Sequence, residues 1–220
     1  MTAVYHIGDL HLGHEKVAKI RGFATTIEHD VAIMDAWNKV VKPGDIVQVY
    51  GDISSGKLLE EDRALEIIES LPGEKRLLAG NHDSVSGIHR RSSPLQHKYY
   101  SVFTRITDFG RIRMENQEIL QSHYPYISQG DGPDRGQGRY EQFRLGDYGG
   151  LLIHAHTHHT HPTDGSVTGR ELCVSWDAWK RMVTTADISK WVRSLTIYKP
   201  LAAWTTIGYM SDRGISNEEN

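Results

Sequence analysis

A single cysteine, Cys173, stands among 220 residues. No intramolecular disulfide can form, so stability has to come from packing, with or without a metal, which suits a reducing compartment. Long apolar runs are missing too. No stretch approaches the roughly 18 to 20 residues that a membrane-spanning helix needs, and residues 1–8 lack the charged and then apolar segments of a secretory leader. A cytoplasmic protein without membrane partners is the expectation. Positive charge is not in excess either: 25 Lys and Arg against 28 Asp and Glu give a formal net charge of −3. That removes any general attraction to a phosphate backbone and argues against binding of long nucleic acids. There is no internal repeat. A hydrophobic share of 38% and a charged share of 24% are ordinary for a globular chain. The length fits one domain over residues 1–220, with a polar tail from about residue 211 that frays.

Histidine, by contrast, is plentiful, with 13 residues, and His154, His156, His158, His159 and His161 crowd into one short stretch. Their surroundings show a pattern. Val4 to Gly8 is a short apolar run ending in Gly-Asp, which reads as a buried strand that delivers Asp9 to a loop. Thr25 with Glu28 has the spacing of a capping box. Ile33, Trp37, Val40 and Val41 then recur at helical spacing until Lys42-Pro43-Gly44-Asp45 stops the helix. A second strand, Ile46 to Tyr50, again ends in Gly-Asp. A helix from Leu58 to Leu71 follows it, and a third strand, Arg76 to Ala79, runs into Gly80-Asn81-His82-Asp83. This alternation predicts α/β architecture, in which loops beyond the carboxyl ends of the strands share one crevice. From Tyr99 the texture changes. Tyr99–Ile106, Arg111–Met114, Glu118–Ser122, Leu151–Ala155 and Gly169–Ser175 read as strands of a second, more antiparallel sheet, with a helix over about Asp187–Arg193. Residues 128–150 form a long Gly-rich loop with Arg135, Arg139 and Arg144, of the kind that often serves as a lid.

Five separated patches place Asp, Asn or His directly after an apolar run: Asp9-Leu10-His11, Gly51-Asp52, Gly80-Asn81-His82-Asp83, Ser122-His123 and His156-Thr157-His158. Carboxylate oxygen and neutral imidazole nitrogen are ligands for hard and borderline divalent ions. Paired ions about 3.5–4 Å apart need one carboxylate that can bridge them. Asp52 is the natural bridge. Each patch alone has an ordinary reading as a cap, turn or loop; their order gives them meaning.

In that order the patches resemble the calcineurin-like metallophosphoesterase family and its compact bacterial and phage phosphodiesterases. The family pattern runs D-x-H, G-D, G-N-H-[DE], H and G-H-x-H, and the likeness spans Val4 to Ser175. It implies a β-sandwich of two mixed sheets flanked by α-helices, with a dinuclear metal site at the sheet edge. One ion would be held by Asp9, His11, Asp52 and His158, and the other by Asp52, Asn81, His123 and His156. His82 would donate a proton to the leaving oxygen, and Asp83 would orient His82. Where the family has Gly before its last pair this chain has Ala155, which leaves two registers, His154/His156 or His156/His158; the later is chosen. His154, His159 and His161 are then placed near the site or on the surface.

The cofactor expected is two divalent ions, manganese first, with iron, zinc, nickel or magnesium as other candidates. The expected partner is a small phosphoester substrate, hydrolysed by water that the ions activate; small diesters and nucleotides, including cyclic ones, are preferred. A phosphomonoesterase or protein phosphatase, a nuclease, and a metal-bound interaction scaffold are the rival readings. For substrate binding, His14 could face the pocket or sit in solvent at a helix start. Arg135, Arg139 and Arg144 could clamp a phosphate, although the bland reading, a solvated loop, is preferred for them.

Overall fold

The computed structural model describes residues 2–126, 139–164, 166 and 169–195. The first half of the chain builds a largely parallel sheet. Strand β1 (Val4–Ile7) is followed by helices α1 (Glu15–Ile20) and α2 (Thr26–Asn38). Strand β2 (Ile46–Val49), helix α3 (Leu58–Ser70) and strand β3 (Glu74–Leu78) come next, then the short helix α4 (Gln96–Tyr100) and strand β4 (Arg105–Thr107). A hairpin of β5 (Phe109–Met114) and β6 (Gln117–Ser122) starts the second sheet, which β7 (Leu151–His154) and β8 (Glu171–Cys173) complete. Helix α5 (Trp176–Trp179), strand β9 (Val183–Thr184) and helix α6 (Thr185–Ser194) close the described chain. The sheets run β4-β3-β2-β1-β9 and β5-β6-β7-β8. Both are mixed, and helices flank them, so the expected sandwich is present.

The period-two pattern of β2 explains how the layers are filled. Val47 and Val49 are fully buried and face a core shared with Ile33 and Trp37 of α2 and Ala64, Leu65 and Ile68 of α3. A second core lies between the sheets, where Tyr50, Leu78 and Val183 meet Ile119, Leu151, Ile153 and Leu172, with Ile188 and Trp191 of α6. Each fully buried side chain of this size contributes about 1.5–3 kcal/mol relative to exposure. Thr25 caps α2 by accepting the Glu28 amide at 3.1 Å, while the Glu28 carboxylate reaches past it to the Ala24 amide at 3.0 Å. Trp37 donates its indole N–H to the Pro72 carbonyl at 2.9 Å, which ties α2 to the turn before β3.

Several expectations are corrected. The run from Tyr99 to Ile106 is not one strand: Tyr99 lies in the last turn of α4, and only Arg105–Thr107 is extended. The four-residue step from Tyr99 to Phe103 stacks the two buried rings 6.2 Å apart, a helical spacing that outweighs the β-propensity of aromatic residues. Strand β4 then pairs in parallel with β3, in the first sheet rather than the second. The second sheet is less antiparallel than expected, since β5–β6 is antiparallel but β6–β7 and β7–β8 are parallel. Helix α2 stops at Asn38, two residues short of Val40. The helix expected at Asp187–Arg193 begins at Thr185, behind a capping box of Thr184 and Asp187. The polar tail, Arg135 and the first part of the 128–150 loop lie outside the described residues. Among the described residues no helix is long and apolar enough to cross a membrane.

Candidate metal centre

Strands β1, β2 and β3 run parallel in neighbouring positions, so their carboxyl ends deliver Asp9, Asp52 and Asn81 to the same edge. Strands β6 and β7 end in His123 and the 154–158 stretch. The Gly8–Ser175 bridge joins the two sheets there, and Gly8 is needed for that closure: a Cβ on it would lie 2.6 Å from the Ala155 Cβ. Gly51 matters for a second reason. It sits at φ +76°, and a Cβ there would fall 2.7 Å from His123 Nδ1.

The backbone itself marks the site. Asp9, His11, Asp52, His156 and His158 all adopt left-handed φ, between 48° and 69°. A non-glycine residue held there costs on the order of 1–3 kcal/mol, a strain the surrounding packing maintains. Two groups of ligand atoms result: Asp9, His11 and His158 in one, and Asp52, His123 and His156 in the other, each with its atoms within 4.8 Å of one another. The two are adjacent through Asp52, whose Oδ2 lies 3.7 Å from His11 Nε2 and whose Oδ1 lies 3.6 Å from His123 Nε2. One carboxylate thus faces both groups with different oxygens. Asn81 Oδ1 is 3.2 Å from His123 Nε2, which also lies 3.2 Å from His156 Nδ1. His11 and His158 face each other through Nε2 at 3.1 Å.

Three of the rings, those of His11, His123 and His158, are held from behind so that the front nitrogen offers a lone pair, the arrangement that metal-binding histidines require. His11 Nδ1 donates to the Ser54 carbonyl at 3.0 Å, and His123 Nδ1 to the Tyr50 carbonyl at 2.7 Å. His158 Nδ1 donates to Asp177 Oδ2 at 2.8 Å. Burial, then the neighbouring His158, pushes His11 well below the ordinary imidazole range, so it stands neutral. Burial would also lower His158, but Asp9 and Asp177 outweigh it and raise its pKa.

The chemistry of the donor set fits divalent ions. Both carboxylate oxygens of Asp9 are buried without a hydrogen-bond partner among the described residues, and burial pushes the group up to about 6. An unsatisfied buried carboxylate is costly, and a cation among Asp9, His11 and His158 is the natural counterpart. Burial alone would raise Asp52 as well, yet His123 and His82 hold it below the ordinary carboxylate range, so it is ionised and ready to bridge.

His156 and His158 enter separate groups, and His154 enters neither. His154 is buried and its Nδ1 meets the Ala155 carbonyl at 2.8 Å, with burial bringing its pKa down to about 3. His159 is buried and His161 exposed. His82 is not a member of either group. Its Nε2 lies 4.0 Å from Asp52 Oδ2 and its Nδ1 is 2.9 Å from the Ser55 carbonyl. That contact corrects the role expected of Asp83. Its carboxylate instead accepts the amides of Gly80 at 2.7 Å, Asp52 at 2.9 Å and Ile53 at 3.0 Å. Asp83 therefore shapes the two ligand loops, and burial followed by Asp52 raises it to about 6. His14 occupies the N-cap position of α1 without a side-chain capping bond, packs against His11 with centroids 5.5 Å apart and lines a cavity beside the centre. Arg144 is also corrected: it is 6% exposed and lies 5.8 Å over the Tyr124 ring.

Three residues were missed by sequence reasoning. Asp177, which belongs to neither ligand group, accepts from His158 Nδ1 and receives Arg21 through Nε at 2.9 Å and Nη2 at 2.6 Å. Arg21 also donates to the Asp9 carbonyl at 2.7 Å, joining the first loop to α5. No local signal marks this pair, 156 positions apart. Tyr124 is the third. Its ring lies 4.9 Å from both His123 and His156, and its buried hydroxyl has no hydrogen-bond partner among the described residues.

Two cavities share His82 as a wall. One of about 460 Å³ is lined by His11, His14, Lys16, Val17, Ile20, Arg139 and His158 besides His82. The other, of about 350 Å³, is lined by Ser55, Asn81, Ser84, His89 and Arg91 among others.

Comparison with known proteins agrees with this geometry. The sequence model of the calcineurin-like phosphoesterase family matches residues 2–160. The Gene 66 protein of Mycobacterium phage L5 is 36% identical over 196 residues, which cover 86% of this chain and 93% of the relative. The Gene 66 protein of Mycobacterium phage D29 is 32% identical over 200 residues, 89% of this chain and 98% of the relative. Among solved structures, a protein of unknown function from Aquifex aeolicus superposes with a TM-score of 0.62 at 25% identity, covering 86% of this chain and 99% of its own.

Proposed function

From the premise that this chain belongs to the calcineurin-like phosphoesterase family, we propose that it is a metal-dependent phosphodiesterase acting on small substrates. The observation that carries the reading is Asp9: a wholly buried carboxylate, without a hydrogen-bond partner, set among two imidazole nitrogens and beside the two-faced carboxylate of Asp52. Asp9, His11, Asp52 and His158 would hold one ion, and Asp52, Asn81, His123 and His156 the other. When bound, such a pair activates water and draws charge from the phosphoryl oxygens.

The chain's own residues supply the rest. With its Nδ1 proton kept on the Ser55 carbonyl, His82 in its imidazolium form presents the Nε2 proton towards the centre. It can give that proton to the departing oxygen and end as the neutral ring. Asp83 holds Gly80 and Asp52 in register through backbone amides, so the ligand loops do not have to reorganise during turnover. The two cavities that meet at His82 favour a diester over a monoester: a diester has two arms to seat and a monoester has one.

Hydrolysis of an aryl phosphodiester beside the matching aryl phosphomonoester, with manganese added to both, tests this reading. The diester should show the higher kcat/KM. A large monoester preference would overturn the diester reading, and no turnover of either with both ions loaded would favour a metal-bound scaffold.

A further inference from the structure

The larger cavity is built from two unlike halves. One half is the reaction centre: His11, His158 and His82. The other is helix α1 with Arg139, which neither the ligand sets nor the proton donor explain. Helix α1 spans six residues and buries only Ala18. Its remaining apolar side chains, Val17 and Ile20, line the cavity instead of the core, and Ile20 is left 71% exposed. His14, Val17 and Ile20 follow one another at three-residue steps, which places them along one face of the helix. Lys16 and Arg139 add two permanent positive charges to the same walls. No carboxylate is among the described residues that line the cavity; Asp9 and Asp52 lie buried beneath the histidines. A wall that is apolar along one line and cationic at its rim, beside a centre for phosphate chemistry, matches a ligand with a flat apolar part and a second anion.

We infer that this cavity is the subsite for one arm of the diester, and that the arm it takes carries a further phosphate: a 5′-phosphorylated dinucleotide rather than an unphosphorylated one. The terminal phosphate meets Lys16 and Arg139, and the nucleoside lies against Val17 and Ile20. At about 460 Å³ the cavity is within the range of about 300–1,000 Å³ usual for small-ligand sites. The inference rests on the phosphodiesterase reading and narrows its substrate class.

The test compares two adenine dinucleotides that differ only in the 5′ phosphate, with an aryl diester as reference. The readout is the ratio of kcat/KM for the phosphorylated over the unphosphorylated dinucleotide. Charge-assisted hydrogen bonds of this kind correspond to a ratio of about 10 to about 100. Lys16→Ala and Arg139→Ala should each bring the ratio down several-fold, chiefly through KM, and Lys16→Glu should bring it below one. Raising the ionic strength should shrink it in the parent protein, because exposed charges are screened. A ratio near one in the parent protein, with the aryl diester still hydrolysed, overturns the subsite while leaving the phosphodiesterase reading intact. A high ratio that survives both alanine changes also overturns it. Failure to hydrolyse the aryl diester and both dinucleotides ends both claims together.

Discussion

Replacing Asp9 with Asn should act in opposite directions on the metal-free and the metal-loaded protein. In the metal-free fold the Asp9 carboxylate is buried without a partner, and burial raises its pKa from an ordinary 3.8 to about 6. The folded state therefore binds the proton more tightly than the unfolded chain, so stability falls as pH rises from about 4 to about 6 and stays lowered above that. The difference corresponds to about 3 kcal/mol at full ionisation. Asn resembles the protonated acid in shape and carries no charge, so Asp9→Asn should stabilise the metal-free protein at pH 8 by up to about 3 kcal/mol. For a chain of this size that is a rise in melting temperature of roughly 6–12 °C. At pH 4 the advantage should vanish. Divalent ions reverse the order: an ion at a thousand times its Kd adds about 4 kcal/mol to the parent protein, and the variant gains less. Thermal unfolding of both proteins at pH 4 and pH 8, with chelator or with manganese, supplies the comparison. A variant that melts below the parent in chelator at pH 8, and gains as much from manganese, would refute the reasoning.

Further outcomes follow from individual contacts. His82→Ala should keep both ions, by metal analysis, and lose about 100-fold to 10,000-fold in turnover; a near-parental rate would remove His82 from the chemistry. Asp177→Ala should weaken one of two ions by about 10–100-fold in a titration, as loss of a carboxylate behind a metal-binding histidine does. It should also destabilise the fold by about 3–5 kcal/mol, because the buried Arg21 guanidinium loses the carboxylate it is paired with; Asp177→Asn, which still accepts the His158 proton, should restore much of the metal affinity. Gly80→Ala should disrupt metal uptake although no ligand changes, because a Cβ there would overlap Asp52 Oδ1 and come within 2.8 Å of His123 Cε1; normal uptake measured on the soluble variant would contradict that.

Much of the centre was legible because its residues follow strands. An apolar strand that runs into the core must end somewhere, and the polar residues just beyond β1, β2, β3, β6 and β7 are the ones that meet. The ordered patches therefore contain Asp9, His11, Asp52, Asn81, His123, His156 and His158, side chains that the structure brings together. What holds those residues was not legible. The carbonyls of Tyr50, Ser54 and Ser55 carry no side-chain signal, and Asp177 and Arg21 meet only because the chain returns after β8. Asp83 was misassigned because adjacency in sequence was read as contact; the turn aims its carboxylate at three backbone amides instead. Helix α1 shows in the sequence only as a candidate helix start at His14, because a six-residue helix with one buried side chain has no stripe for periodicity to detect, and its apolar residues serve a cavity rather than the core. Tyr99 was read as strand because aromatic and β-branched residues look extended in isolation, whereas its partner lies four residues on.

The central claim is that these scattered side chains cradle two cations. Anomalous diffraction at the manganese edge from crystals grown with manganese tests it most directly. Two peaks are expected, about 3.5–4 Å apart, one against Asp9, His11 and His158, the other against Asn81, His123 and His156, with Asp52 between them. Absence of both peaks, or manganese bound away from these residues, would contradict the account.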